Sequence, residues 1–329
     1  MARLPGRIPG WDGLGDIGAA LGGRTADLGY AAGWQLVRAM PEVVARNAFD
    51  AGAWYAARSG GPLQLRKNLS RVVGVTPEQV PDELMRAALA SYARYWREAF
   101  RLPSMNPEKL RVRIEDCLLG SEHIDAALAA GRGAILALPH SGNWDMAGVW
   151  VVAHYGQFTT VAERLKPESL YQRFVDYRET LGFEMLPLTG GERPPFEVLA
   201  DRLRANRIVC LMADRDLTHR GVEVEFFGET TRLPAGAAKL ALQTGAPLHP
   251  VHCYNTPDSW VFDVHPGIDV GSGEVPVITQ ALADVFARGI AAHPEDWHML
   301  QPQWVADLPA GRRAKLSGTA GTGPDSGLS

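Results

Sequence analysis

The chain has 329 residues, 46% of them hydrophobic and 21% charged, with a formal net charge of −4. That composition fits a packed globular protein of one large α/β domain or two ordinary ones, and excludes disordered and collagen-like classes. Three scattered cysteines, Cys117, Cys210 and Cys253, exclude a disulfide framework and form no paired metal motif, so a reducing compartment is expected.

The first segment, "MARLPGRIPGWDGLGDIG", breaks its apolar stretches with Gly, Pro and Asp, so no signal peptide is expected and the chain is placed in the cytoplasm. Residues 1–115 carry 16 Lys/Arg against 11 Asp/Glu, which is +5, leaving −9 for the remainder. The basic half suggests a surface facing a membrane or a phosphorylated ligand, or simply a local excess of solvated arginines. No nucleic-acid motif accompanies it, and nucleic acid is not expected as a partner.

From Leu28 to Tyr55 the chain is apolar enough to raise a membrane span, but Arg38, Glu42, Arg46 and Asp50 recur every four residues. Charges at mid-span argue against crossing a bilayer. Two helical pieces bent near Pro41, lying at an interface or against the protein body, fit better. Trp34, Trp54, Tyr30 and Tyr55 suit a headgroup layer. Beyond them Arg66, Lys67 and Arg71 cluster, and a helix over about 82–102 mixes four arginines with Tyr92, Tyr95, Trp96 and Phe100, a combination that could hold phosphate or lipid headgroups. Residues 1–106 are therefore read as an N-terminal helical, membrane-interfacial region packed on the core.

After Pro107 short apolar runs alternate with helical patterns. Strands are expected at "RVRIE", "GAILALP", "FTTVAE", "FEMLPL", "IVCLMA", "VEVEFF", "PLHPVHCY" and "WVFDVH". Helices are expected at "SEHIDAALAAG", "WDMAGVWVVAHYG", "PESLYQRFVDYRETLG", "PPFEVLADRLRANR", "RLPAGAAKLALQTG" and "VITQALADVFARGIAAHP". Such alternation predicts an α/β fold over residues 107–312, a central mostly parallel sheet flanked by helices, followed by a disordered tail over 313–329.

"ILALPHSGNWDMAGVW" carries the chemistry. Its strand delivers His140 to the carboxyl edge of the sheet, where open α/β folds place ligands. Ser141, Gly142 and Asn143 read as cap and turn, with Asp145 in the first turn of the next helix, near enough to orient the imidazole as a general base. The free amides of Gly142 and Asn143 could receive an oxyanion. The alternative is a structural histidine beside a dipole-favouring aspartate. His249, His252 and His265 read equally as buried histidines or as ligands. No G-x-S-x-G elbow, P-loop or dinucleotide fingerprint is present, and no metal is expected.

"HSGNWD" resembles the H-x4-D signature of the glycerolipid and lipid A type acyltransferases. "TVAERLKPESLYQRFVDYRETLGFEMLPLTGG", "CLMADRDL" and "GVEVEFFGETTRLPAGAAKLALQTGAPLHPVH" resemble the actinobacterial branch of that family, which acylates mannosylated phosphatidylinositol. The resemblance spans about 10–309 and implies a peripheral enzyme at the cytoplasmic face of the plasma membrane. It implies transfer of a long fatty acyl group, mainly palmitoyl, from acyl-CoA as co-substrate, with no cofactor, to a mannose hydroxyl of phosphatidylinositol mono- or dimannoside. It also implies that a carboxylate in "MADRD", here Asp214 where the family often has Glu, pairs with His140. Glu163, Arg164 and Arg178, with Arg215 between two aspartates, become candidates for the acceptor headgroup or the cleft wall. Other readings are transfer to a lysophospholipid or another glycolipid, or an acyl-CoA-binding protein without turnover.

Overall fold

The computed structural model describes residues 33–164, 168–217, 221–311 and 313. The expected segment before residue 33, including Tyr30, and the expected disordered tail from 314 onward lie outside the described residues.

Residues 33–39 are helical and the chain turns at Pro41, which precedes α1 (Glu42–Ala57) with extended dihedrals. The bend at the proline follows from its missing N–H and fixed φ. Helices α2 (Leu63–Val73) and α3 (Asp82–Arg101) complete a helical layer whose own core gathers Ala53, Leu65, Leu69, Val80, Met85 and Leu89. This layer is tied to the rest through α3, whose Tyr95, Trp96 and Phe100 face the main core.

The basic residues of this region are largely committed inside the protein. Arg94 donates to Glu98 and to the carbonyls of Thr256 and Ser259, and Arg101 to the carbonyls of Val37 and Met40. Arg97 is buried beside Glu98, and Arg71 pairs with Asp307 and Glu229. The reading of α3 as an arginine-aromatic headgroup site is thereby corrected. Trp34 is likewise turned inward: its Nε1 donates to the Phe100 carbonyl at 3.0 Å and its ring packs on Phe100, Phe174 and Tyr177.

"RVRIE" is not a strand. Asn106 caps α4 (Pro107–Ile114), its side chain accepting from the Lys109 amide at 3.0 Å, and Pro107 stands at the first helical position. A cap followed by proline outweighs the accidental alternation of Arg with Val and Ile. The chain then passes through the two-residue strand β1 (Leu118–Leu119) and α5 (Ser121–Ala129) into the sheet proper.

The remaining elements run β2 (Ala134–Leu138), α6 (Trp144–Tyr155), β3 (Phe158–Ala162), α7 (Glu168–Thr180), β4 (Phe183–Pro187), α8 (Pro195–Arg204) and β5 (Ile208–Met212). A hairpin β6 (Val222–Phe226) and β7 (Glu229–Leu233), then α9 (Gly236–Thr244), β8 (Leu248–Asn255), β9 (Trp260–Val264) and α10 (Val275–Ala292) complete the fold. The seven-stranded sheet has the order β1-β9-β8-β2-β5-β3-β4, parallel at every pairing except β8 with β9. The expected mostly parallel α/β architecture is therefore present. Arg232 and Leu233, expected to open a helix, instead end strand β7, and the helix waits until Gly236, after Pro234.

Alternation sorts the sheet's two faces. Leu136 and Leu138 join Phe158, Phe183, Val251 and Phe262 under α6 and α7, whereas Ile135, Ala137 and Val209 pack against α8, α9 and α10. Helix α10 is long and apolar enough to span a membrane, but Ile278, Leu282, Phe286 and Ile290 are buried in the second core. The first core, under α6, is the one that opens at the carboxyl edge.

Candidate active site

Strand register builds the site. Leu138 of β2 lies across from Met212 of β5, so two residues beyond each strand His140 and Asp214 stand side by side. The Ala213 amide donates to the Leu138 carbonyl at 2.8 Å, extending the ladder to the rim. His140 Nδ1 is 2.6 Å from Asp214 Oδ1, and the His140 backbone amide donates to Asp214 Oδ2 at 2.9 Å.

Asp214 is fully buried and held from every side. Trp297 Nε1 donates to its Oδ2 at 3.1 Å, and Gln303 Nε2 donates to its backbone carbonyl at 2.6 Å. Burial alone would raise the carboxyl's pKa, yet the imidazole, the His140 amide and the Trp297 indole together hold it below the usual aspartate value. An ionised carboxylate only accepts, which puts the imidazole proton on Nδ1 and leaves Nε2 with its lone pair. The His140 side chain is 29% exposed and lines a cavity of about 850 Å³. The arrangement is a carboxylate-oriented base at the mouth of an apolar space.

Asp145 does not reach the imidazole, correcting the expected His140–Asp145 pair. It is buried, and Arg178 clamps it with Nε to Oδ1 at 2.9 Å and Nη2 to Oδ2 at 3.2 Å, while Tyr95 donates its hydroxyl to Oδ2 at 3.2 Å. A buried carboxylate takes the strongest cation available. Arg178 is accordingly neither a solvated neighbour of Glu179 nor an open anion clamp; it ties α7 to the first turn of α6 in the cavity wall.

The oxyanion role expected of the Gly142 amide also requires correction. The Gly142 amide donates to the Asp296 carbonyl at 2.9 Å. At φ +57° the residue presses on β8, where an added β-carbon would fall 2.6 Å from the Cys253 carbonyl carbon, so a glycine is required. Asn143 is buried and serves as the N-cap of α6: its Oδ1 accepts from the Met146 amide at 3.1 Å, and its Nδ2 donates to Glu98 Oε2 at 2.7 Å. Both residues shape the His140 loop. Ser141 Oγ is committed to the Cys253 carbonyl, to which it donates at 2.8 Å.

Glu163, Arg164 and Arg215 all line the cavity with His140. Arg164 grips Glu168 through Nε and Nη2 at 2.7–3.1 Å and sits 5.9 Å over the Tyr171 ring.

His298 is a residue that sequence reasoning passed over. Its amide donates to the His140 carbonyl at 2.8 Å, and its ring lies with Tyr95 and Trp144 in the same wall. Ser91 Oγ donates to Asp296 Oδ1 at 2.5 Å and stands 3.1 Å from His298 Nε2, so Nε2 carries the proton and Nδ1 is an acceptor without a partner among the described residues. Burial, then the charge of His140, lowers the His298 pKa to about 3, which keeps the ring neutral. His293, Glu295 and Asp296 come close enough together to suggest a cation site, but both Asp296 carboxylate oxygens already accept from Ser91 and Asn255. His249 and His252 are buried.

Residues 24–306 match the family model described as bacterial lipid A biosynthesis acyltransferase. A protein named phosphatidylinositol mannoside acyltransferase from Mycolicibacterium smegmatis (strain ATCC 700084 / mc(2)155) is 66% identical over 313 residues, covering 95% of this chain and 99% of the relative. One of the same name from Mycobacterium tuberculosis (strain CDC 1551 / Oshkosh) is 68% identical over 294 residues, covering 89% of this chain and 93% of the relative.

Proposed function

The chain belongs to the bacterial lipid A biosynthesis acyltransferase family, and from that premise we propose that it moves a long fatty acyl group from acyl-CoA to a mannose hydroxyl of a phosphatidylinositol mannoside. The acceptor is inferred from the names of the relatives at 66% and 68% identity. The observation that carries the reading is the imidazole held by Asp214, with its basic nitrogen turned to an apolar cavity of about 850 Å³.

In this reaction His140 Nε2 takes the proton of the sugar hydroxyl as its oxygen attacks the thioester carbonyl. The new C–O ester bond forms, the C–S bond breaks, and the CoA thiolate leaves to collect a proton. Asp214 stabilises the imidazolium that forms in between. General-base help of this kind contributes roughly 10²- to 10⁴-fold. The acyl chain occupies the space between α6 and the sheet, where Leu136, Leu138, Val251 and Phe262 offer apolar walls. Burying a palmitoyl chain there contributes on the order of 10 kcal/mol or more at about 0.8 kcal/mol per methylene. Glu163 and Arg215, on the cavity wall, face the polar parts of donor and acceptor.

Both substrates are amphiphiles, which favours a peripheral enzyme at the cytoplasmic face of the plasma membrane. Supporting this, Leu36, Val43, Val44, Trp54, Tyr55 and Leu63 are each at least half exposed along the N-terminal helices.

The test is an acceptor panel. Purified protein with palmitoyl-CoA should release free CoA when given phosphatidylinositol mono- or dimannoside, and little with lysophospholipid or unmannosylated phosphatidylinositol. Equal rates on all acceptors would refute the mannoside assignment, and no release with any of them would refute acyl transfer.

A further inference from the structure

A second buried carboxylate stands behind the His140–Asp214 pair. Residues 296–298 run antiparallel to residues 140–142: the Gly142 amide donates to the Asp296 carbonyl at 2.9 Å, the His298 amide donates to the His140 carbonyl at 2.8 Å, and Ser141 and Trp297 form the bridge between them. Trp297 Nε1 also donates to Asp214 Oδ2 at 3.1 Å. This short segment therefore carries the backbone of the base together with the carboxylate that orients it.

The Asp296 side chain, 1% exposed, anchors the segment. Its Oδ1 accepts from Ser91 Oγ at 2.5 Å and from Asn255 Nδ2 at 2.7 Å, and its Oδ2 accepts from the Asn255 backbone amide at 2.7 Å. Ser91 belongs to α3 and Asn255 ends β8, so one carboxylate joins both elements to the His140 loop. Ser91 Oγ in turn accepts from His298 Nε2 at 3.1 Å. Both carboxylate oxygens face donors. An asparagine of the same shape would turn its N–H2 against one of them, leaving buried groups unpaired in a network that is otherwise satisfied at this point.

We propose that Asp296 is a positioning residue for acyl transfer: tied to Ser91 and Asn255, it seats residues 296–298 against the His140 loop and so aims the imidazole. This inference rests on the acyl-transfer reading of His140. A misplacement of about 1 Å caused away from the reacting atoms costs about 10²-fold in rate.

The experiment measures kcat with the mannoside acceptor, calorimetric affinity for palmitoyl-CoA without acceptor, and the proton resonance of His140 Nδ1, identified by its loss in His140→Gln. The 2.6 Å hydrogen bond to Asp214 moves that resonance downfield, and its position reports the geometry of the pair. Rates are taken per folded molecule. Asp296→Asn should lower kcat about 10²-fold and move the resonance while affinity stays within about twofold of wild type. Ser91→Ala should lower kcat about tenfold, and adding it to Asp296→Asn should cost little more, because the two residues act as a unit. Ile290→Ala, a loss of packing in the core on the other face of the sheet, should weaken folding and leave kcat and the resonance unchanged. A kcat within about threefold of wild type in Asp296→Asn, an unmoved resonance, or an equal loss in Ile290→Ala would overturn the proposal. If Asp296→Asn does not fold, Ser91→Ala decides by the same criteria. A moved resonance with no turnover by wild type on any acceptor would support the positioning role while refuting the proposed reaction.

Discussion

Arg178→Met isolates the ion pair that the sequence could not show. Asp145 is 2% exposed and takes both its charged hydrogen bonds from Arg178, at 2.9 and 3.2 Å, leaving only the Tyr95 hydroxyl once the guanidinium is gone. Breaking a buried pair from one side costs about 3–5 kcal/mol, because the remaining charge is stranded. The favourable field at the start of α6 returns only about 0.3–1 kcal/mol of that. Asp145→Asn in the same chain removes the stranded charge and keeps an oxygen for Tyr95, so the double variant should be less destabilised than Arg178→Met alone by at least about 2 kcal/mol. Urea unfolding followed by circular dichroism at pH 7 measures all four corners of this cycle. Additive losses, or an Arg178→Met variant within about 1 kcal/mol of wild type, would refute the claim that the pair ties α7 to α6.

Asp214→Asn keeps the shape beside His140 but replaces an acceptor with a group that can donate, so the imidazole loses its fixed tautomer. A carboxylate-to-amide change behind a catalytic histidine costs about 10⁴-fold in kcat in serine proteases, and steady-state CoA release should fall by a comparable factor with the fold intact. Acid should destabilise the protein well before carboxylates titrate. Burial, with the neighbouring charges of His293 and His140, lowers His252 and His298 to about 3, while the unfolded chain binds their protons near 6.5. Stability is therefore full above about pH 6.5 and is lost as pH falls toward 3, with a slope of about 1.4 kcal/mol per pH unit for each histidine. His252→Leu should lower the slope measured by denaturant unfolding between pH 6 and 4 by about 1.4 kcal/mol per pH unit, and an unchanged slope would contradict the assignment. The lowered pKa of Asp214 adds to acid loss only below about 3.9, so its contribution separates on the pH axis.

The sheet is legible because short apolar runs alternate with glycine-punctuated helical patterns along residues 121–292. The misreadings have specific causes. "RVRIE" alternates like a strand, but the preceding Asn-Pro pair nucleates a helix that buries Leu110 and Ile114, four apart. Strand β7, "ETTRL", is short and polar on its outward face, and its core side chains Thr231 and Leu233 carry no run of apolar residues. At the site, His140 was found because a ring at a strand exit is unusual. Asp214 came from the resemblance, although the register argument reaches it too: it lies two residues past β5 as His140 lies two past β2. Asp145 lies close to His140 in sequence but not in space, and its partner comes 33 residues later on α7. Trp297, His298 and Gln303 support the site from segments with no periodic pattern to reveal which way they face, and Glu98 supports it from α3. Their roles are fixed by contacts of long sequence separation, which a single sequence does not display.

The central claim is that His140, with its proton held on Nδ1 by Asp214, removes the hydroxyl proton through Nε2. Single-turnover transfer from palmitoyl-CoA to phosphatidylinositol mannoside by His140→Gln, with acyl-CoA affinity measured on the same preparation, tests it most directly. The expected result is a rate about 10²- to 10⁴-fold below wild type with affinity for acyl-CoA unchanged. A rate within about threefold of wild type would contradict the account.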